Sequence, residues 1–291
     1  MHSITVKAPA KVNIFLKVLN KRKDSYHNIV TVFDRISLAD TIKISKISKG
    51  IILKSDKPIT RYPEDNLCFK AAEAILRYGK VKSGVRIDIN KKIPLASGLG
   101  GGSSDAAAVL RGINKLFDLK LSGRILLNMA KELGADVPFF VLNTAFAIGK
   151  GRGDELKVVR PGKRFWHLII KAGKKTSTGD IYGAFDETSK HLTPGRENVK
   201  IQIPSEFRMD YEQAESMLHN DLETADSLKK GVTGRILKDL ARLLGKKVIV
   251  SGSGPSLFCL YGTRREAIDA KDAILRNLSA RSRSGWQIFV A

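Results

Sequence analysis

Pro94-Leu-Ala-Ser-Gly98-Leu-Gly100-Gly101-Gly102-Ser103-Ser104-Asp105-Ala-Ala-Ala108 places four glycines in five positions, Gly98 to Gly102. Upstream, Val85, Ile87 and Ile89 alternate at period two, the pattern of a strand. Downstream, Val109, Leu110, Ile113 and Leu116 recur on one helical face, so a helix is predicted from Ser103 or Ser104 to Phe117. A strand ends, a glycine loop turns and a helix begins. Residues without Cβ let backbone N–H groups approach a phosphate, and the helix N-terminus behind them adds unpaired donors and a positive dipole end. Triphosphate binding is the functional reading, and a flexible turn is the plain one. Neither GxxxxGK[ST] nor GxGxxG fits, which counts against a P-loop NTPase, a protein kinase or a Rossmann dinucleotide enzyme. Without a P-loop lysine, any cation at the phosphates comes from elsewhere. Asp105 would oppose a phosphate, so it points away, caps the helix or helps hold Mg²⁺, capping being the ordinary role.

Working outward, Val30 with Val32 and Ile42 with Ile44 read as further strands. Asn66 to Gly79 reads as a helix ending at a C′ glycine, and another is capped by Ser122 and stops at Gly134. A chain of 291 residues suggests two domains. The glycine-rich Gly149 to Gly153 and the Arg160-Pro-Gly-Lys-Arg164 turn place a boundary near 155, giving domains 1–155 and 156–291. The second half carries a strand His167 to Lys171, helices Tyr211 to Leu218 and Thr233 to Leu244, and a strand Lys247 to Val250. Ser251-Gly-Ser-Gly-Pro-Ser256 then leads into Leu257 to Tyr261, a helix Arg264 to Leu278 and a strand Trp286 to Val290. Strands mixed with helices, without a regular βαβ rhythm or a repeat, indicate α+β in both halves.

With 43% hydrophobic and 27% charged residues, the chain has the balance of a folded globular protein. No apolar run is long enough to span a membrane and the N-terminus has no signal pattern, so a cytoplasmic location is expected. Cys68 and Cys259, far apart in apolar contexts, read as free buried thiols, and the five histidines show no metal-ligand spacing. The net charge of +22 keeps RNA binding as a rival reading. Yet the basic residues are dispersed, with short clusters at Lys21 to Lys23, Lys91-Lys92, Lys174-Lys175 and Arg281 to Arg283, and aromatics are 7%. That distribution suits a solvated surface and speaks against a nucleic-acid partner.

Phosphoryl transfer to an alcohol needs a proton acceptor and positive charge at the transferring group. Asp136, just after Gly134, is a candidate acceptor, or else a turn or N-cap residue. Lys11 lies among strand-like apolar residues, where an ammonium is costly unless it meets a carboxylate or phosphate. Pairing with Asp136 answers both needs, while the plain reading of Lys11 is a solvent-facing strand residue. Tyr26 and His27 follow a charged turn, where an aromatic beside an imidazole suits base stacking and edge recognition, or simple loop packing. Ser251 to Ser256 offers further backbone donors, or only a tight turn.

PLASGLGGGSSDAAA resembles the phosphate-binding motif of the GHMP small-molecule kinases. Ala8-Pro-Ala-Lys11-Val-Asn13-Ile-Phe-Leu16, Tyr26-His27, Gly134-Ala-Asp136-Val-Pro138-Phe-Phe, GRGDEL at 151–156, Asn220-Asp221-Leu222 and Ser251 to Ser256 are similar in order and spacing to the family's 4-diphosphocytidyl-2-C-methyl-D-erythritol kinases. The resemblance covers nearly the whole chain. It implies a two-domain GHMP kinase fold, with a ribosomal-protein-S5-like N-terminal domain, a ferredoxin-like C-terminal domain and the site between them. It implies ATP and Mg²⁺ as cofactors, with the Mg²⁺ ligands unassigned, and phosphorylation of an acceptor 2-hydroxyl in non-mevalonate isoprenoid synthesis. Nucleotide binding falls to Pro94, Leu95, Ala96, Ser97, Gly98, Leu99, Gly100, Gly101, Gly102, Ser103 and Ser104. Asp136 becomes the base, and Lys11 orients it and stabilises the γ-phosphoryl charge. Tyr26 and His27 take the cytosine, Tyr182 a second stacking face, and Asn13 a polar contact near the acceptor. A small-molecule substrate and a monomer or homodimer are expected. One departure is Ser25, where the family usually has glycine before Tyr-His.

Overall fold

The computed structural model describes residues 2–173, 176–189, 207–225, 231–279 and 283–291. The chain forms two compact units, the first made of Met1–Lys11, Ser37–Leu95 and Gly100–Thr144, the second of Val12–Ile36, Ala96–Leu99 and Ala145–Ala291. Both are discontinuous in sequence, because the strands β1 (Ser3–Lys21) and β2 (His27–Ile47) each give one end to either unit.

In the first unit the later part of β2 pairs with β4 (Gly84–Asn90), and β3 (Ile51–Ser55) joins β4 in parallel. Between β3 and β4 lies α1 (Leu67–Tyr78), capped by Asn66, whose side chain accepts from Cys68 N at 2.9 Å. Its stripe of Cys68, Ala71, Ala72, Ile75 and Leu76 is buried, the amphipathic pattern the sequence carries. β4 meets β2 with Ile42 opposite Ile89 and Ile44 opposite Ile87. Next come α2 (Gly101–Leu116), α3 (Gly123–Leu133) and the short α4 (Val137–Leu142). α2 lies close on the sheet because residue 112 is glycine: a Cβ there would stand 2.5 Å from Ile44 Cδ1. The helix begins at Gly101, earlier than the sequence suggests, because Gly100 adopts a left-handed φ of 71° and its carbonyl accepts Ser104 N–H at 2.9 Å. Glycine's poor helix propensity hides that first turn.

In the second unit the earlier part of β2 pairs antiparallel with β5 (Phe146–Lys150), which pairs with β6 (Glu155–Pro161). Gly149 to Gly153, which reads as a boundary, thus closes a hairpin, with Gly153 N–H donating to Lys150 O at 2.9 Å. β7 (Trp166–Lys171) is followed by α5 (Thr178–Ser189), β8 (Arg208–Met209), α6 (Tyr211–Met217) and β9 (His219–Asn220). Then come α7 (Val232–Leu244), β10 (Ile249–Val250), β11 (Ser256–Tyr261), α8 (Arg264–Asn277) and β12 (Gln287–Val290). β10, β11, β7 and β12, in that spatial order, form an antiparallel sheet. Leu168, Ile170, Leu257 and Cys259 of this sheet pack with Leu240, Ala267 and Ile274 of the helices. Each of the leucine and isoleucine side chains removes apolar area from water worth about 1.5–3 kcal/mol. Thr263 and Glu266 close a capping box on α8. Cys68 and Cys259 are free and buried. Among the described residues no helix is long and apolar enough to cross a membrane. Of the basic clusters, Lys174-Lys175 and Arg281 lie outside the described residues.

Candidate active site

Lys11 sits in β1 between the buried Ala10 and Val12, and its Nζ stands 3.4 Å from Asp136 Oδ2. The lysine side chain is 5% exposed and the aspartate 33% exposed, so the cation is desolvated while the carboxylate still faces solvent. A buried ammonium needs such a counter-charge. Asp136 occupies the N-cap position of α4 without a side-chain capping bond, which leaves its carboxylate to Lys11 and to whatever approaches. Gly100 borders the pair: a Cβ there would lie 2.9 Å from the Phe140 ring and 3.1 Å from Lys11 Cγ. The first turn of α2 therefore starts beside the ion pair, with no side chain capping its N–H groups. A Cβ on Gly102 would meet nothing within 4 Å.

Behind that turn is a buried triad. Lys91 Nζ bonds both Asp40 Oδ2 and, at 2.7 Å, Asp105 Oδ2. Asp40 Oδ1 accepts Lys92 N–H at 2.6 Å and Ile93 N–H at 2.8 Å, fixing the exit from β4. Asp105 does not cap α2; it points onto Lys91, because a buried cation at the end of β4 outcompetes backbone donors. Burial pushes the Asp105 carboxyl up to about 7, with Lys91 opposing and Asp40 adding to the shift. For Lys91, burial acts downward, but the two carboxylates outweigh it and hold the ammonium above its ordinary value.

In the second unit, loop residues Ala96 to Leu99 pack on the Ser251 to Ser256 turn. Ser256 N–H donates to Ser97 O at 3.2 Å, and Ser251 Oγ donates to Gly98 O at 3.4 Å. Gly98 has φ 78°, and a Cβ would fall 2.7 Å from Gly254 O, so only glycine fits. The turn is held by Asn220, whose amide donates to Val250 O at 2.8 Å and Gly252 O at 2.7 Å, and by Glu223, which accepts Val250 N–H at 2.6 Å. Burial pushes Glu223 up to about 7 against that hydrogen bond and the charges of His219 and Lys247.

The same unit carries the aromatic residues. Tyr26 is 54% exposed, whereas His27 is buried, stacked on Tyr182 with ring centroids 4.9 Å apart. His27 Nε2 lies 2.7 Å from Asp186 Oδ1, and Lys21 Nζ donates to Asp186 Oδ2 at 3.0 Å. Burial would raise the Asp186 carboxyl, but the bonds from Lys21 and His27 prevail and hold it below its ordinary value. Asn13 Nδ2 donates to Thr31 Oγ1 at 2.8 Å, and Thr31 Oγ1 donates in turn to Phe15 O at 2.7 Å.

Residues 66–144 match the model of the GHMP kinase N-terminal domain. The chain is 36% identical over 283 residues to a 4-diphosphocytidyl-2-C-methyl-D-erythritol kinase of Syntrophotalea carbinolica, covering 97% of this chain and 96% of that one. It is 37% identical over 272 residues to the enzyme of that name from Syntrophus aciditrophicus, covering 93% and 94%. The chain belongs to the 4-diphosphocytidyl-2-C-methyl-D-erythritol kinase family. A crystal structure of 4-(cytidine 5'-diphospho)-2C-methyl-D-erythritol kinase superposes with TM-score 0.78 at 30% identity, over 99% of this chain and 98% of that one. A homoserine kinase of Cytophaga hutchinsonii shares the fold, with TM-score 0.68 at 20% identity over 100% and 95% of the two chains. This member of the kinase family is thus an α+β GHMP kinase and a small-molecule phosphotransferase.

Within this family member the structure joins Lys11 to Asp136, and His27 to Tyr182. Tyr26 meets Arg152, whose guanidinium lies over its ring. The loop Pro94 to Ser104 divides, Ala96 to Leu99 counting with the second unit and the rest with the first. Sequence reasoning missed Asp186, which lies one helical turn beyond Tyr182 on α5; the i, i+4 spacing was a usable signal. It also missed the Asp40–Lys91 contact, which spans 51 positions and leaves no local trace.

Proposed function

We propose that the chain transfers the γ-phosphoryl group of ATP to the 2-hydroxyl of 4-diphosphocytidyl-2-C-methyl-D-erythritol, a step of non-mevalonate isoprenoid synthesis. The observation that carries this reading is the Lys11–Asp136 pair beside Gly100, at the start of the glycine-loop helix. Asp136 accepts the hydroxyl proton as the oxygen attacks, and Lys11 orients the carboxylate and offsets charge on the transferring group. The loop Pro94 to Ser104 takes the triphosphate through the backbone N–H groups of its non-proline residues, those nearest the helix N-terminus contributing most. Mg²⁺ bound with the triphosphate would offset part of its charge.

Tyr26 supplies the stacking platform for cytosine, His27 reads the base edge with Asp186 fixing its ring, Tyr182 supports that side, and Asn13 contacts the acceptor chain. Residues 1–155 form the N-terminal ATP-binding GHMP kinase domain and 156–291 the C-terminal GHMP kinase domain. Asp136→Asn tests the assignment: kcat should fall by about 10²–10⁴ with ATP affinity unchanged. Equal kcat in variant and parent would remove Asp136 from the role.

A further inference from the structure

Tyr26 is a half-exposed ring on a turn that is otherwise pinned. Arg22 N–H donates to Tyr26 O at 2.7 Å, and Tyr26 N–H donates to Asp24 Oδ1 at 3.2 Å. The Arg152 guanidinium carbon lies 5.4 Å from the centroid of the Tyr26 ring, within reach of a cation–π contact. Asp154 holds that guanidinium: Nε and Nη2 donate to its Oδ2 at 3.2 and 2.7 Å, and Arg152 N–H donates to Oδ1 at 3.2 Å. Arg152 stands at the tip of the β5–β6 hairpin, between glycines with φ of 64° and 100°. The tip is tied to β2 by Ile29 N–H, which donates to Gly151 O at 2.8 Å, two residues beyond His27. The turn bearing Tyr26 and the hairpin bearing Arg152 therefore share one frame.

We infer that Arg152, fixed by Asp154, is a positioning residue that backs one face of the Tyr26 ring and leaves the other to a pyrimidine base. The inference rests on the reading of Tyr26 as the cytosine platform. A loop tyrosine loses side-chain freedom when a base stacks on it, and a cation held over its ring imposes that restraint before the ligand arrives. Asp154 balances the charge of Arg152, which suits a ring support better than a direct claim on the diphosphate of the acceptor.

The test is steady-state kinetics with the cytidylyl acceptor on Arg152→Met, Arg152→Lys, Tyr26→Ala and the Arg152→Met/Tyr26→Ala double variant. Methionine keeps the apolar stem, so the hairpin retains its packing. Arg152→Met should raise the acceptor KM about three- to five-fold with kcat and the ATP KM unchanged, and Arg152→Lys should recover part of the loss. In the Tyr26→Ala background the same change should add nothing, since the support then has no ring to act on. A raised KM in Tyr26→Ala with none in Arg152→Met overturns the inference, as does a full Arg152 effect persisting without the ring. An unchanged KM in Tyr26→Ala overturns the platform reading itself, and the inference with it.

Discussion

Lys11 and Asp136 form an unequal ion pair, 3.4 Å between Nζ and Oδ2, with the ammonium buried and the carboxylate open to solvent. That asymmetry suits proton acceptance: the fixed cation stays in place while the accessible anion meets an incoming hydroxyl. Lys11→Met should keep the fold, because methionine fills much of the same volume, yet lower kcat about 100-fold or more. Single-turnover rates together with a urea midpoint separate the two effects. A folded variant with parental turnover would show that the pair is structural.

Gly100 is constrained twice, by a φ of 71° and by the Phe140 ring 2.9 Å from a hypothetical Cβ. Gly100→Ala should therefore destabilise by about 1–2 kcal/mol or more from the left-handed backbone alone. Gly102→Ala, whose Cβ enters open space in the first turn of the helix, should leave the unfolding free energy unchanged or raise it by up to about 1 kcal/mol, since alanine is the better helix former. It should nonetheless raise the ATP KM, since the methyl group occupies the approach of a phosphate to the loop. An unchanged ATP KM would argue that this face of the loop does not meet nucleotide.

Asp105 carries a pH-dependent share of stability. Its folded carboxyl sits near 7, above its ordinary 3.8, so the fold favours the protonated form. The contribution is fully present below about pH 4 and is lost as pH rises through about 7. Asp105→Asn cannot ionise, so its unfolding free energy should fall less between pH 5 and 8, by on the order of 2–4 kcal/mol. Urea titrations at a series of pH values measure the slope, and parallel curves for variant and parent would contradict the assignment.

Much of this was legible because it is local. Asn66 and Gly79 bracket α1, and Ser122 and Gly134 bracket α3, where capping chemistry acts within a turn. The Lys11–Asp136 contact was legible for a different reason: a lysine among apolar residues demands a carboxylate, and the resemblance to the GHMP kinases singles out Asp136. Asp105 resisted, since capping and pairing with Lys91 are equally compatible with its place in the helix. Asp186 joins His27 across 159 positions, so the pairing itself leaves no local trace, and only the i, i+4 spacing of Tyr182 and Asp186 on α5 hints that the two side chains share a face. The GKGRG segment shows the limit of composition: a hairpin tip and a domain boundary draw on the same residues.

Ser25, just before Tyr26 and His27, holds φ 66°, in the left-handed region. Serine there has a Cβ in the left-handed region, where glycine does not. Ser25→Gly should relieve that strain and stabilise by up to about 1 kcal/mol, offset in part by the greater freedom of the unfolded glycine chain. A loss of stability would mean that the serine side chain contributes more to the turn than its backbone costs.

The most direct measurement is ADP release with Mg·ATP, offering 4-diphosphocytidyl-2-C-methyl-D-erythritol beside homoserine, mevalonate and no acceptor. Turnover with the cytidylyl compound alone is the expected result. Turnover with homoserine or mevalonate instead would contradict the cytosine site at Tyr26 and His27 while leaving the Lys11–Asp136 chemistry in place, and background release with all of them would contradict the proposed reaction itself.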